Sequence, residues 1–262
     1  MGSATTQALA AASSTLTAAK GITLQTAEEL FAASRLVGSS SQLSGALADP
    51  AAPAAARAKV VGTVFGSLSQ AAQDVLASAV SQRWSDAADL IDGIEELAIR
   101  AAVIAEPKTD AAGELFGFLR VIAQNPELEL ALGSRLGDSE AKGGLVERLL
   151  AGTASAPAAL IVSSLVRQPR ERRVRQLLNR AIRIIAAQRG EIVATVHTAS
   201  ALSDAQRARL VDALSRRYDG TITLNQVIDP AVIGGLRVQV ADDVIDGSIA
   251  ARLADLRQKL AG

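Results

Sequence analysis

Slid along itself by about 85 residues without gaps, the chain superposes two stretches of its helical region, and this self-similarity limits the fold more than any single motif does. Glu29-Leu30-Phe31 falls on Glu114-Leu115-Phe116, Arg35 on Arg120, Leu43 on Leu128, Leu47 on Leu132, Ala56 on Ala141, Val61 on Val146 and Ser78 on Ser163. Apolar positions coincide as well, with Val60 on Leu145, Val64 on Leu149, Phe65 on Leu150, Val75 on Leu160 and Leu76 on Ile161. Amphipathic periodicity alone can align two Ala-rich bundles. A shared spacing that keeps both the apolar positions and a Glu-Leu-Phe start favours duplication of one helical module.

From Thr5 to about Pro169 the chain is rich in Ala, Leu and Arg and has few β-branched runs. Short helices are expected near residues 5–19, 26–37, 41–48, 55–66, 69–83, 88–105, 112–123, 126–133, 139–151 and 156–167. Thr26 with Glu29 is expected to form a capping box, Asn125-Pro126 an N-cap with proline at the first helical position, and Asp138 a further cap. Arg170 to Gln188 reads as a longer helix whose apolar face carries Val174, Leu177, Leu178, Ala181, Ile184 and Ile185. Arg172, Arg173, Arg175, Arg180 and Arg183 decorate the rest. No aromatic residues are interleaved among them, so this face is expected to be solvated or to meet an acidic protein partner rather than nucleic acid.

Beyond Gly190 the period changes from helical to alternating. Ile192, Ala194 and Val196 point one way and Val193, Thr195 and His197 the other, as in a strand. Ser203 and Gln206 open a helix with Leu210, Val211, Leu214 and Tyr218 on its apolar face, and Asp219-Gly220 turns into a second strand, Thr221 to Leu224. Pro230 ends what precedes it, Gly234-Gly235 frees the backbone for a turn, and Leu236, Val238 and Val240 alternate with Arg237 and Gln239. Asp246-Gly247 makes another turn, and Ser248 caps a closing helix with Ile249, Leu253, Leu256 and Leu260 on one face. The expected class is α+β, a duplicated all-helical N-terminal bundle region followed by a small α/β C-terminal domain. Its divisions fall at residues 1–87, 88–189 and 190–262.

Lys and Arg number 27 and so do Asp and Glu, which leaves no global field to draw the chain to nucleic acid or an anionic membrane. The absence of cysteine removes disulfides, thiolate metal sites and a thiol nucleophile together. No apolar run approaches the roughly 20 residues that span a bilayer. His197 is the only histidine, no G-x-S-x-G elbow is present, and neither phosphate-loop nor dinucleotide-binding glycine pattern occurs. Asp242-Asp243-Val244-Ile245-Asp246 is formally a D-D-x-x-D. On a helix such carboxylates would hold magnesium and a diphosphate; between a strand and an Asp-Gly turn they are expected to serve as turn and cap residues. Trp84, the only tryptophan, is expected to fill the core of its module. No catalytic, cofactor-binding or metal-binding residue is therefore assigned.

The closing stretch carries a resemblance. Asp229-Pro230-x-x-Ile233-Gly234-Gly235-x-x-Val238, then Asp242-x-Val244-Ile245-Asp246-Gly247-Ser248-x-x-x-Arg252-Leu253, resembles the C-terminal signature of the F-type ATP synthase delta subunits, the oligomycin-sensitivity-conferring proteins of mitochondria. Residues from about 88 onward are similar to that whole family chain, through Glu95-Glu96-Leu97-Ala98 and Asn125-Pro126-Glu127-Leu128, so the residues before 88 would be an extra copy of its helical module. The resemblance implies a non-catalytic stator subunit without cofactors. It would link the N-terminal helices of the alpha subunits to the b subunit, with the beta subunits as a further contact, at the cytoplasmic face of the cell membrane. Membrane association would be indirect, through the complex. Asp229, Pro230, Gly234, Gly235, Asp246, Gly247, Ser248 and Arg252 are carried over as residues that shape the C-terminal domain. Two other classes share some of these features: a helical adaptor unrelated to ATP synthase, and a magnesium and diphosphate enzyme using Asp242, Asp243 and Asp246.

Overall fold

The computed structural model describes residues 2–134, 137–170, 172–232, 234–240 and 243–249. The chain divides into two compact units, Met1–Ile185 and Ala186–Gly262.

The first unit is helical throughout. Helices α1 (Ser3–Ala18), α2 (Leu24–Ser39), α3 (Ser41–Ala48), α4 (Ala54–Val64) and α5 (Gln70–Ser81) are followed by α6 (Ala87–Ala105). Then come α7 (Ala111–Gln124), α8 (Pro126–Gly133), α9 (Ser139–Leu150), α10 (Ala156–Arg167) and α11 (Val174–Gln188). The order of lengths repeats, and α4 packs on α5 as α9 packs on α10. Two caps differ from expectation. Thr23, not Thr26, is the N-cap of α2: its side chain accepts from the Thr26 amide at 3.3 Å and the Thr26 hydroxyl accepts from the Thr23 amide at 3.3 Å. Starting the helix earlier leaves the Glu29 carboxylate free for a distant partner. Asn125 does precede Pro126 at the start of α8, but its side chain donates to the Val121 carbonyl at 2.7 Å instead of capping. Asp138 caps α9 as expected, accepting from the Glu140 amide at 3.0 Å.

Helix α6 is the spine of this unit. It packs on α1, α2, α3 and α5 and also on α10. A helix with so many neighbours must be apolar over most of its surface, and Leu90, Ile91, Ile94, Leu97, Ala98, Ile99, Ala101, Ala102 and Val103 are all buried. Each large member of that set contributes about 1.5–3 kcal/mol by leaving water. Trp84, just before α6, is buried with its indole N–H donating to the Ala79 carbonyl at 2.8 Å, and its ring lies against Gly93, where any Cβ would collide. It fills the core, as expected.

The second unit runs β1 (Glu191–Thr198), α12 (Asp204–Tyr218), β2 (Thr221–Ile228), β3 (Leu236–Val240) and β4 (Asp243–Asp246). The sheet order is β2-β1-β3-β4. The α12 crossover makes β1 and β2 parallel, whereas the short turns make β3 antiparallel to β1 and β4 antiparallel to β3. Ala194, Val196, Ile222, Leu224, Val238 and Val240 point to one face and form a core with Leu214 of α12. The Ser203–Gln206 capping box forms, and Asp219 takes the left-handed conformation (φ 49°) that ends α12. Residues 250–262, which hold Arg252 and all but the first residue of the closing helix expected from Ile249 to Leu260, lie outside the described residues, as does Asp242.

Candidate functional site

Three constellations stand out, and none is catalytic. The first is the turn pair built from the signature. The Asp229 amide donates to the Thr198 carbonyl at 2.8 Å, and the Asp229 carboxylate accepts from the Ala231 amide at 3.0 Å across Pro230. Gly234 and Gly235 then take φ values of 60° and 151°. A Cβ on Gly235 would stand 2.5 Å from the Gly247 carbonyl oxygen, and one on Gly234 would strike Ile249. That closeness lets the Gly247 amide donate to Leu236 at 2.9 Å and the Ile249 amide to Gly234 at 3.1 Å. The Asp246 carboxylate accepts from the Ser248 amide at 2.9 Å, and this bond, with the nearby Arg237, holds its pKa below the usual carboxylate value. Signature residues separated in sequence thus meet at one end of the β3–β4 hairpin.

The aspartate cluster is not a metal site on a helix. Asp243 to Asp246 form strand β4, so residues three apart point to opposite faces. Asp243 accepts a hydrogen bond from the Tyr218 hydroxyl, and Arg217 lies 3.7 Å away. Asp243 and Asp246 therefore do not share the helix face that the magnesium and diphosphate reading requires of them. His197 on β1 faces Arg237 in register; burial and Arg237 lower its pKa, with Asp229 opposing.

The second constellation corrects the expectation of a solvated arginine face. Asp92, Glu95 and Glu96 share one side of α6, and Glu95 and Glu96 are only 5% and 6% exposed. Arg172 grips Glu95 with two bonds of 2.8 and 2.7 Å, and Arg180 adds a third at 3.0 Å. Arg170 pairs with Asp92, and Arg100 with Glu96 at 2.6 Å. Burial works against ionisation of Arg172, yet the Glu95 bonds and the Asp92 charge hold its pKa above the ordinary guanidinium value. Arg175 pairs with Glu129 at 3.0 Å, leaving Arg173 and Arg183 exposed. The acidic partner of the arginines is thus largely internal. Acids three and four apart on an otherwise apolar helix were the available signal, since such groups need cations when buried.

The third is a matched pair of clamps. The Glu29 carboxylate accepts from the Ser69 amide at 3.0 Å and from its hydroxyl at 2.5 Å, joining α2 to the N-terminus of α5. The Glu114 carboxylate does the same with Ser155, at 2.8 and 2.6 Å, joining α7 to the N-terminus of α10. Each places a negative charge where a helix N-terminus presents unsatisfied amides. Exposed apolar positions match as well: Leu36 (46%) with Val121 (45%), and Val64 (41%) with Leu149 (48%).

Among the described residues, no helix is long and apolar enough to cross a membrane. The family model of the ATP synthase delta (OSCP) subunit matches residues 98–260. The ATP synthase subunit delta of Leifsonia xyli subsp. xyli is 48% identical over 264 residues, covering 100% of each chain. That of Streptomyces avermitilis is 42% identical over 91% of this chain and 89% of its own. That of Kineococcus radiotolerans is 40% identical over 91% and 88%. The residues before 98, outside the family model, are therefore shared with the Leifsonia relative. A full-length likeness at that identity, the family model's match, and a signature built as a tight structural knot together place this chain in the ATP synthase delta (OSCP) subunit family, as a non-catalytic peripheral-stalk subunit of F-type ATP synthase.

Proposed function

We propose that the helical unit holds the N-terminal helices of the alpha subunits and that the C-terminal unit holds the end of the b subunit, at the cytoplasmic face of the cell membrane. Held at both ends, the catalytic head would not turn with the central shaft, and proton-driven rotation would drive ATP synthesis. In this reading residues 1–87 are an extra copy of the alpha-holding module, 88–189 the family's own copy and 190–262 the b-holding domain. The signature residues keep the last of these in shape.

The matched exposed apolar residues carry the proposal. A helix facing only water has no reason to keep a large apolar side chain at the same point in both copies, whereas a surface that receives the apolar face of an amphipathic helix does. The matched clamps support common descent of the copies, because each performs one task with one pair of residue types. The test titrates the full chain with two labelled peptides, one from an alpha N-terminus and one from the b C-terminus. Val121→Asp and Leu149→Asp should weaken the alpha peptide at least about tenfold, the scale of a lost interface anchor, and leave the b peptide unchanged. Unaltered alpha binding in both variants would remove the helical face from the interface.

A further inference from the structure

The two edges of the sheet in the second unit are protected very differently. Among the described residues the order β2-β1-β3-β4 leaves β4 at one edge and β2 at the other. An edge strand offers unpaired N–H and C=O groups to any extended chain, and folded proteins blunt it with shortness, charge, proline or a bulge. Strand β4 has the first two: it is four residues long, carries Asp243 and Asp246, and holds the Tyr218 hydroxyl on Asp243. Strand β2 has none of the four. It runs for eight residues from Thr221 to Ile228 without a charged side chain or a proline. Its register with β1 is unbroken from Glu191 beside Thr221 to Thr198 beside Ile228, so no bulge bends it away.

Half of the β2 residues turn their N–H and C=O groups away from β1. Among the described residues, one hydrogen bond reaches the β2 backbone from outside the sheet: Arg207 of α12 donates to the Leu224 carbonyl at 2.5 Å. Arg207 is exposed and makes no ion pair among the described residues. Ile228, at the end of the strand, is 49% exposed.

Arg207 narrows what the edge can take. Leu224 is the fourth of the eight residues, so antiparallel pairing with β2 of a second copy about the middle of the strand would set two guanidinium groups side by side. Like charges facing each other across a strand pair destabilise it. A carboxylate in place of the second guanidinium turns that repulsion into attraction.

We propose that the free edge of β2 receives an extended, carboxylate-bearing segment of another subunit of the complex, which adds a strand beside β2. Its backbone would pair with the outward N–H and C=O groups, and Arg207 would turn from the Leu224 carbonyl to the incoming carboxylate. Thr221, Thr223, Val227 and Ile228, all β-branched, would be its side-chain neighbours. The proposal uses the chain's membership of F-type ATP synthase and does not depend on which unit holds which subunit.

The test is amide hydrogen exchange, followed by mass spectrometry on the full chain alone and in the assembled ATP synthase. In the free chain the amides of residues 221–228 should exchange faster than those of β1, which has a strand on each side. In the complex they should slow at least about tenfold. Arg207→Glu changes an exposed side chain, so the free variant should keep the parent circular dichroism spectrum. In the complex its β2 should again exchange severalfold faster, whereas Arg207→Lys should keep the protection. Three outcomes would overturn the proposal. Exchange over 221–228 that assembly does not alter leaves the edge open; protection that survives Arg207→Glu removes the carboxylate; and protection already present in the free chain, with self-association in sedimentation, assigns the edge to a second copy of this chain.

Discussion

Replacing Glu95 by glutamine tests whether the charged cluster on α6 holds the helical unit together. The carboxylate accepts three short bonds, two from Arg172 and one from Arg180, at 2.7 to 3.0 Å, and is 5% exposed. Glutamine matches the shape but offers one acceptor oxygen and points an amide N–H₂ at cations. Hydrogen bonds to charged groups contribute about 1.5–3 kcal/mol each, so the loss of two gives about 3–6 kcal/mol. Breaking one partner out of a buried ion pair independently costs about 3–5 kcal/mol. Asp92 and Glu96 remain to hold part of the arginine charge, which favours the lower end, about 3 kcal/mol. With a urea slope of about 2.5 kcal/mol/M, the midpoint should fall by about 1.2 M. Urea titration followed by far-ultraviolet circular dichroism measures it, since the helices dominate that signal. A cycle with Arg172→Met should show a coupling of about 2 kcal/mol. A destabilisation below about 1 kcal/mol, the range of exposed pairs, together with additive single and double variants, would refute the reasoning.

The two clamps should behave as equivalents: Glu29→Gln and Glu114→Gln should each cost about 1–2 kcal/mol in urea titrations, and the double variant their sum, because they share no partner. A double variant no weaker than either single one would contradict the matched roles. Gly235→Ala should unmake the hairpin end, since its Cβ would sit 2.5 Å from a backbone carbonyl oxygen at φ 151°, and the β3 and β4 amides should lose their exchange protection. Gly117→Ala, with open space at its Cβ inside α7, should instead be neutral or stabilising by up to about 1 kcal/mol. For His197 the folded pKa lies below 6.5, so the unfolded chain binds the proton more readily. The contribution of His197 to stability is then complete above that value and lost as pH falls through it towards the folded pKa. His197→Gln should flatten the dependence of unfolding free energy on pH between 7 and 5, and an unchanged slope would contradict the assignment.

What the sequence made legible was periodic. Helices α3, α8 and α10 have the bounds that periodicity predicted, and the change of period at Gly190 falls where β1 begins, because local apolar spacing decides those features. The signature was legible as turn chemistry, since Asp-Pro, Gly-Gly and Asp-Gly each act within a few residues. The charged cluster was not. Whether Arg172 meets solvent, a partner or Glu95 depends on a contact 77 residues away in sequence. No helical pattern encodes that contact. The capping box at Thr26 and Glu29 failed for the same reason: Thr26 serves Thr23, while Glu29 reaches Ser69, 40 residues on. A local rule assigned the right residue type to the wrong neighbour.

The burial of α6 also bears on the extra module. On the proposed division α6 would open the second copy, yet it packs on α1, α2, α3 and α5 as well as on α10. Its apolar residues are consequently covered on faces that a free-standing second copy would expose. Residues 1–87 are therefore no pendant attached by a linker: α6 packs against their helices, and Trp84 against Gly93 closes that joint without room for a methyl group. Close-packed interiors transmit strain instead of absorbing it, so a load taken up by either copy passes through α6 to the other. A stalk subunit with two helical modules on one spine would grip its partners as a single rigid element, which a flexibly joined pair could not do.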